Sequence, residues 1–206
     1  MEALYRAWRG GDLRIELQAQ PRQREEAGVR AWATPVTLAL ILLSVAGFLM
    51  VYLRAPLEVI SLFTFSPFEL NGGEVSFDVV QGQYWRLVTP AFLHFGWLHI
   101  VFNSLWMWDL GRRVELVMGH GNMFGLFLVI ALVSNVSQFL VSGPSLFGGM
   151  SGVVYGLLGF SWVGATLQPR WPIRPTRGIM LFMVGWLLIG ALGFTESVGL
   201  GLSLIH

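Results

Sequence analysis

Ser151 is the one side chain in this sequence placed as a nucleophile would be. It stands in Leu146-Phe147-Gly148-Gly149-Met150-Ser151-Gly152-Val153-Val154-Tyr155-Gly156, with glycine on both sides, at the opening of an apolar helix. A hydroxyl there faces free backbone N–H groups and the positive end of the helix dipole. That setting suits a nucleophile and a developing oxyanion, and it equally suits a serine that only caps the helix. Tyr155 is four residues on and shares its helical face.

A second polar set lies upstream, in His94-Phe95-Gly96-Trp97-Leu98-His99-Ile100-Val101-Phe102-Asn103. His99 and Asn103 are four apart, so they fall on one face of a helix. Both can donate hydrogen bonds toward developing negative charge, and both can instead bind a neighbouring helix. A metal centre fits poorly. His94 and His99 are five apart and point in different directions, and no H-E-x-x-H occurs. An aspartyl mechanism needs two carboxylates, and Asp109 is the only acid inside an apolar segment. A transporter or channel needs internal repeats or a polar lining, and the sequence carries neither.

The elements that must hold these groups are membrane helices. Of 206 residues, 54% are hydrophobic and 12% charged, against about 25% charged in soluble domains. The net charge of +1 implies no nucleic-acid partner, and the absence of cysteine excludes disulfides and thiolate sites. Spans are expected at about Thr34–Leu53, His94–Leu110, Asn122–Val141, Gly149–Leu167 and Gly178–Phe194, each close to the roughly 20 residues that cross a bilayer. Gly111-Arg112-Arg113 is expected to close the second span on a charged turn. Residues 54–92 are too broken to span and too apolar for a solvated loop, which predicts a structured connector in the membrane interface. Gly148, Gly152 and Gly156 form a small-residue ladder suited to close helix packing.

All thirteen basic residues are arginines, and eleven of them lie before the first span, at 112–113 or at 168–177. That bias places the N-terminus in the cytoplasm, with His94, His99, Ser151 and His206 together toward the external side. Residues 1–31 read as a cytoplasmic tail or the remnant of a small domain, and 32–206 as a membrane domain.

The two motifs, with Trp85-Arg86 in the connector and Ser142-Gly143-Pro144 before the serine loop, resemble the rhomboid intramembrane serine proteases in their bacterial GlpG-like branch. The resemblance covers about Thr34 to Phe194. It implies an all-α polytopic transmembrane bundle with a long interfacial first loop, in which this chain supplies five of six spans and is C-terminally incomplete. It implies multi-pass insertion in a bacterial inner membrane and cleavage of single-span membrane proteins near the external face, with no metal or cofactor. Ser151 is then the nucleophile. His99 and Asn103, with backbone N–H groups, form the oxyanion site. Gly149 leaves room for substrate, Tyr155 packs on the catalytic histidine, and Trp186 lines a lateral gate.

The family's base is a histidine on the sixth span, set among small residues. Here Leu204 and Ile205 precede His206. Either His206 is the base, or the final residues are foreign and the base is missing. A non-catalytic rhomboid-like protein that binds membrane helices is the alternative function.

Overall fold

A computed structural model describes residues 33–78 and 82–191 of the chain. The described part is built mainly of helices, with one short hairpin. Helix α1 spans Pro35–Tyr52, with proline in its first turn. Its inward face carries Thr37, Leu40, Ser44, Phe48 and Val51, while Leu42, Leu43 and Leu49 face outward. Two hydroxyls among the inward residues and leucines facing outward suit a lipid surround. Among the described helices, α1 and the 23-residue α5 (His120–Ser142) are long and apolar enough to cross a membrane.

The connector after α1 is structured, as its composition implies. It holds the short helix α2 (Leu57–Ser61), strands β1 (Phe68–Asn71) and β2 (Glu74–Phe77), and two 3-10 turns at Tyr84–Leu87 and Thr89–Phe92. The strands are antiparallel, with Phe68 opposite Phe77 and Leu70 opposite Val75. Gly72 and Gly73 both have positive φ (63° and 93°), the backbone that a two-residue hairpin turn demands and that glycine adopts freely. Arg86 pins the connector. Its buried guanidinium donates to the carbonyls of Ser61 and Thr64 (2.8 Å to Thr64) and to the Gln83 side chain. The Trp85 indole donates to Leu62 O at 3.0 Å.

The second apolar segment departs from expectation at both ends. Its helix α3 begins at Trp97 and runs to Trp106, passes through a π-helical turn at Met107–Gly111, and continues as α4 (Arg112–Met118). Gly111-Arg112-Arg113 therefore lies inside a helical run, and the chain turns at Gly119, whose φ is 84°. The reason is packing. Met107, Leu110 and Val114 are all buried on one stripe, and Gly111 fits beneath Met107 and Thr37 where a β-carbon would meet Met107 Cε at 2.9 Å.

One turn further, Glu115 reaches back to the start of α1. It accepts the N–H of Val36 at 2.9 Å, the N–H of Thr37 at 2.7 Å and the Thr37 hydroxyl at 2.6 Å. His120 Nδ1 lies 2.7 Å from the same carboxylate. A carboxylate at a helix N-terminus satisfies orphan donors and opposes the dipole favourably.

Helix α6 (Ser151–Leu167) packs on α5, and the glycine ladder explains how. A β-carbon on Gly152 would meet Ser134 Cβ at 2.7 Å, and one on Gly156 would meet Ile130 Cδ1 at 3.1 Å. Gly148 precedes the helix and presses on the connector instead, against Leu93 and Pro90. The core lies where these helices meet, around Met107, Met123, Phe127, Met150, Val153 and Leu157. Helix α7 (Arg177–Ala191) touches α3 through aromatic rings.

Candidate active site

Ser151 is the first residue of α6 and is half-buried. The N-cap position belongs to Met150, and the helix has no side-chain cap hydrogen bond. A capping serine sits one place earlier and bonds the backbone of the first turn, so the capping explanation for Ser151 has no support in this geometry.

The loop before Ser151 is held by the connector. Gly149 has φ +117°, and its N–H donates to Pro90 O at 3.0 Å. This backbone favours glycine, and a second constraint reinforces it. The His99 ring lies against Gly149, with a β-carbon there falling 2.6 Å from His99 Nε2. The imidazole of α3 is thereby brought onto the loop that delivers the serine.

Asn103 is buried one turn along α3 from His99. Its Nδ2 lies 3.2 Å from His94 Nε2. The same Nε2 accepts the N–H of Met150 at 3.3 Å. His94 Nδ1 lies 3.1 Å from Phe92 O. Asn103 thus meets a residue just upstream of its own helix.

The expectation that His94 and His99 point apart is corrected here. His94 lies before the helix, in the segment between the second 3-10 turn and Trp97, so helical spacing does not apply to it. The two rings meet edge to face with centroids 5.0 Å apart. Among the described residues, no group of three or more histidines, cysteines or acids is placed to hold a metal ion.

The remaining candidates divide. Tyr155 is half-buried, and its hydroxyl donates to Met183 O on α7 at 2.7 Å. The Trp186 ring lies 4.8 Å from Phe102 of α3 and 6.3 Å from Phe182. His206, and the end of the fifth expected span beyond 191, lie outside the described residues. Spacing alone missed the part played by His94 and by Glu115. Neither the burial of His94 nor the partners of Glu115 is written in the local sequence pattern.

Residues 81–203 match the family model of the Rhomboid domain. The chain is 36% identical over 187 residues to a protein of Cronobacter sakazakii named "Rhomboid protease GlpG homolog", covering 91% of this chain and 64% of that protein. It is similar to proteins named "Rhomboid protease GlpG" from Photorhabdus laumondii (33% identical over 197 residues; 96% of this chain, 64% of the relative) and Yersinia pseudotuberculosis (35% over 197 residues; 96% and 66%). The chain therefore spans about two thirds of the length of these relatives.

Proposed function

The chain belongs to the rhomboid family, and from that premise we propose that it is an intramembrane serine endopeptidase. It cleaves membrane-anchored proteins near the external face of a bacterial inner membrane. Its substrates are single-span proteins, and it works without metal or cofactor. The observation that carries this reading is the meeting of His99 with Gly149 beside Ser151 at the start of α6.

Ser151 attacks the scissile carbonyl. His99 and Asn103 donate to the oxygen that gains charge, together with free N–H groups at the start of α6. His206 takes the serine proton and returns it to the leaving amine, as the histidine does in soluble serine proteases. Gly149 leaves space for the substrate backbone. Tyr155 packs on the base, and Trp186 lines the lateral entry.

The reading takes residues 32–206 as a membrane domain with five spans and 1–31 as a cytoplasmic tail. Arginine bias supports that orientation. The large apolar side chains exposed on α1, α5, α6 and α7 support burial in lipid.

The experiment is fluorophosphonate labelling of the chain in detergent, beside Ser151→Ala and His206→Ala. Labelling lost in both variants supports the dyad. Labelling lost only in Ser151→Ala assigns the base to another group. A parent that does not label, with labelling restored by a C-terminal extension carrying a sixth span, means that the base is missing from this chain. Labelling in neither form sinks the protease reading and leaves a protein that binds membrane helices without cutting them. A reporter whose membrane helix is made all leucine is expected to be cut poorly, because a stable helix resists extending into the site.

A further inference from the structure

His94 is completely buried, yet the proposed chemistry gives it no task. Its hydrogen bonds define its state. Nδ1 faces Phe92 O at 3.1 Å. A carbonyl oxygen only accepts, so Nδ1 carries the proton. In a neutral imidazole the other nitrogen is then a bare acceptor. Two N–H groups converge on it: Met150 N at 3.3 Å and Asn103 Nδ2 at 3.2 Å. The orientation of the Asn103 amide follows, because only its nitrogen has hydrogen to give to an acceptor.

We infer that His94 is a positioning residue whose Nε2 fixes the Asn103 amide and the Met150 backbone relative to one another. The inference rests on the proposed roles of Ser151 and Asn103. Met150 immediately precedes the nucleophile, and Asn103 carries an oxyanion donor. One acceptor thus ties the loop that delivers the attacking oxygen to the group that meets the charge produced. Removing it leaves two buried N–H groups unpaired and frees the Asn103 amide to turn.

The tautomer is read directly by nitrogen NMR of the histidine-labelled chain in micelles, with His94 assigned by its loss in His94→Gln. A proton on Nδ1 is expected; a proton on Nε2 overturns the inference. Labelling kinetics at Ser151 then test the coupling. His94→Phe, which keeps a ring but no acceptor, is expected to slow labelling by about tenfold or more. It is expected to add little once Asn103→Ala is present. His94→Gln, which restores an acceptor near the Nε2 position, is expected to recover part of the rate and also reports that the fold tolerates change at 94. Independent, multiplying losses in the His94→Phe and Asn103→Ala pair overturn the inference. Should Ser151 label in no form, the protease reading fails by itself. The Asn103 side-chain amide signal then decides His94: it is expected to shift and exchange faster in His94→Phe, and an unchanged signal overturns the role.

Discussion

The imidazole of His99 occupies the space that a side chain at Gly149 would need, with a β-carbon there falling 2.6 Å from Nε2. Gly149 also has φ +117°, where a residue with a β-carbon is strained by about 1–3 kcal/mol. Gly149→Ala therefore faces two penalties, and the ring is the part able to move. The expected outcome is a fall in Ser151 labelling on the order of a hundredfold, the scale of losing one oxyanion donor, with the fold retained by circular dichroism. Wild-type labelling in Gly149→Ala would mean that His99 has no part in the chemistry.

Glu115 links α4 to the first turn of α1 across 78 to 79 residues of sequence, through two backbone N–H groups and the Thr37 hydroxyl. Hydrogen bonds to a charged partner contribute more than neutral ones, and unpaired buried donors cost more still. Glu115→Gln is expected to lower stability by about 2–3 kcal/mol. Thr37→Val, which loses only the hydroxyl, is expected to cost about 1 kcal/mol. Thermal unfolding in mild detergent orders the two. Equal midpoints for parent and Glu115→Gln would remove the carboxylate from the account of α1.

These contacts show where sequence reasoning stops. The apolar runs at 34–53 and 122–141 locate α1 and α5 to within a few residues, because an uninterrupted run of that length has few other fates. The Ser151 helix was equally legible, and so were Gly152 and Gly156 of the glycine ladder, whose partner α5 the pattern could not name; Gly148 precedes the helix and packs on Leu93 and Pro90 instead. The hairpin at 68–77 was not anticipated, although Asn71-Gly72-Gly73 flanked by Phe68 and Phe77 carries its signal. The apolar character of residues 54–92 masks the two-residue alternation of this short stretch. Arg112-Arg113 looked like a helix end because charge usually marks a membrane boundary. The helix runs on because Val114 is buried and Glu115 has partners on α1, neither of which local pattern contains. Helical spacing separates His94 from His99 only if both are on one helix, and His94 precedes it.

Buried Arg86 offers its guanidinium to carbonyls of Ser61 and Thr64, and burial pulls its pKa below the ordinary value. Arg86→Lys keeps the charge and loses the planar fork, so one ammonium cannot reach Ser61 O, Thr64 O and the Gln83 side chain together. The connector is expected to loosen, giving faster hydrogen exchange at residues 61–66 with little change in α5. Unchanged exchange at 61–66 would show that charge alone suffices.

At Gly156 two effects oppose each other. Alanine favours an α-helix over glycine by about 1 kcal/mol, which predicts stabilisation. A β-carbon there, however, meets the branched side chain of Ile130, with Cδ1 and Cγ1 both at 3.1 Å and Cγ2 nearer still. A β-branched side chain has little freedom to retreat, and overpacking typically costs about 1–3 kcal/mol. Gly156→Ala is expected to lower the unfolding midpoint, and Ile130→Ala in that background to restore part of it. A stabilised Gly156→Ala would mean that α5 and α6 stand further apart than described.

Trp186 touches Phe102 at 4.8 Å between ring centroids, and Phe182 meets Trp106 at 6.2 Å, so aromatic pairs hold α7 to α3. Such a pair contributes about 0.5–1.5 kcal/mol beyond its buried area. If a substrate helix enters between α3 and α7, that energy opposes entry. A small fluorophosphonate reaching Ser151 from water does not need the gap to open. Trp186→Ala is therefore expected to raise the cleavage rate of a membrane-embedded reporter by several-fold, up to about tenfold, and to leave the fluorophosphonate rate nearly unchanged. A parallel fall in both rates would make Trp186 a support for the Ser151 site. A loss of reporter cleavage alone would make it a surface that binds substrate.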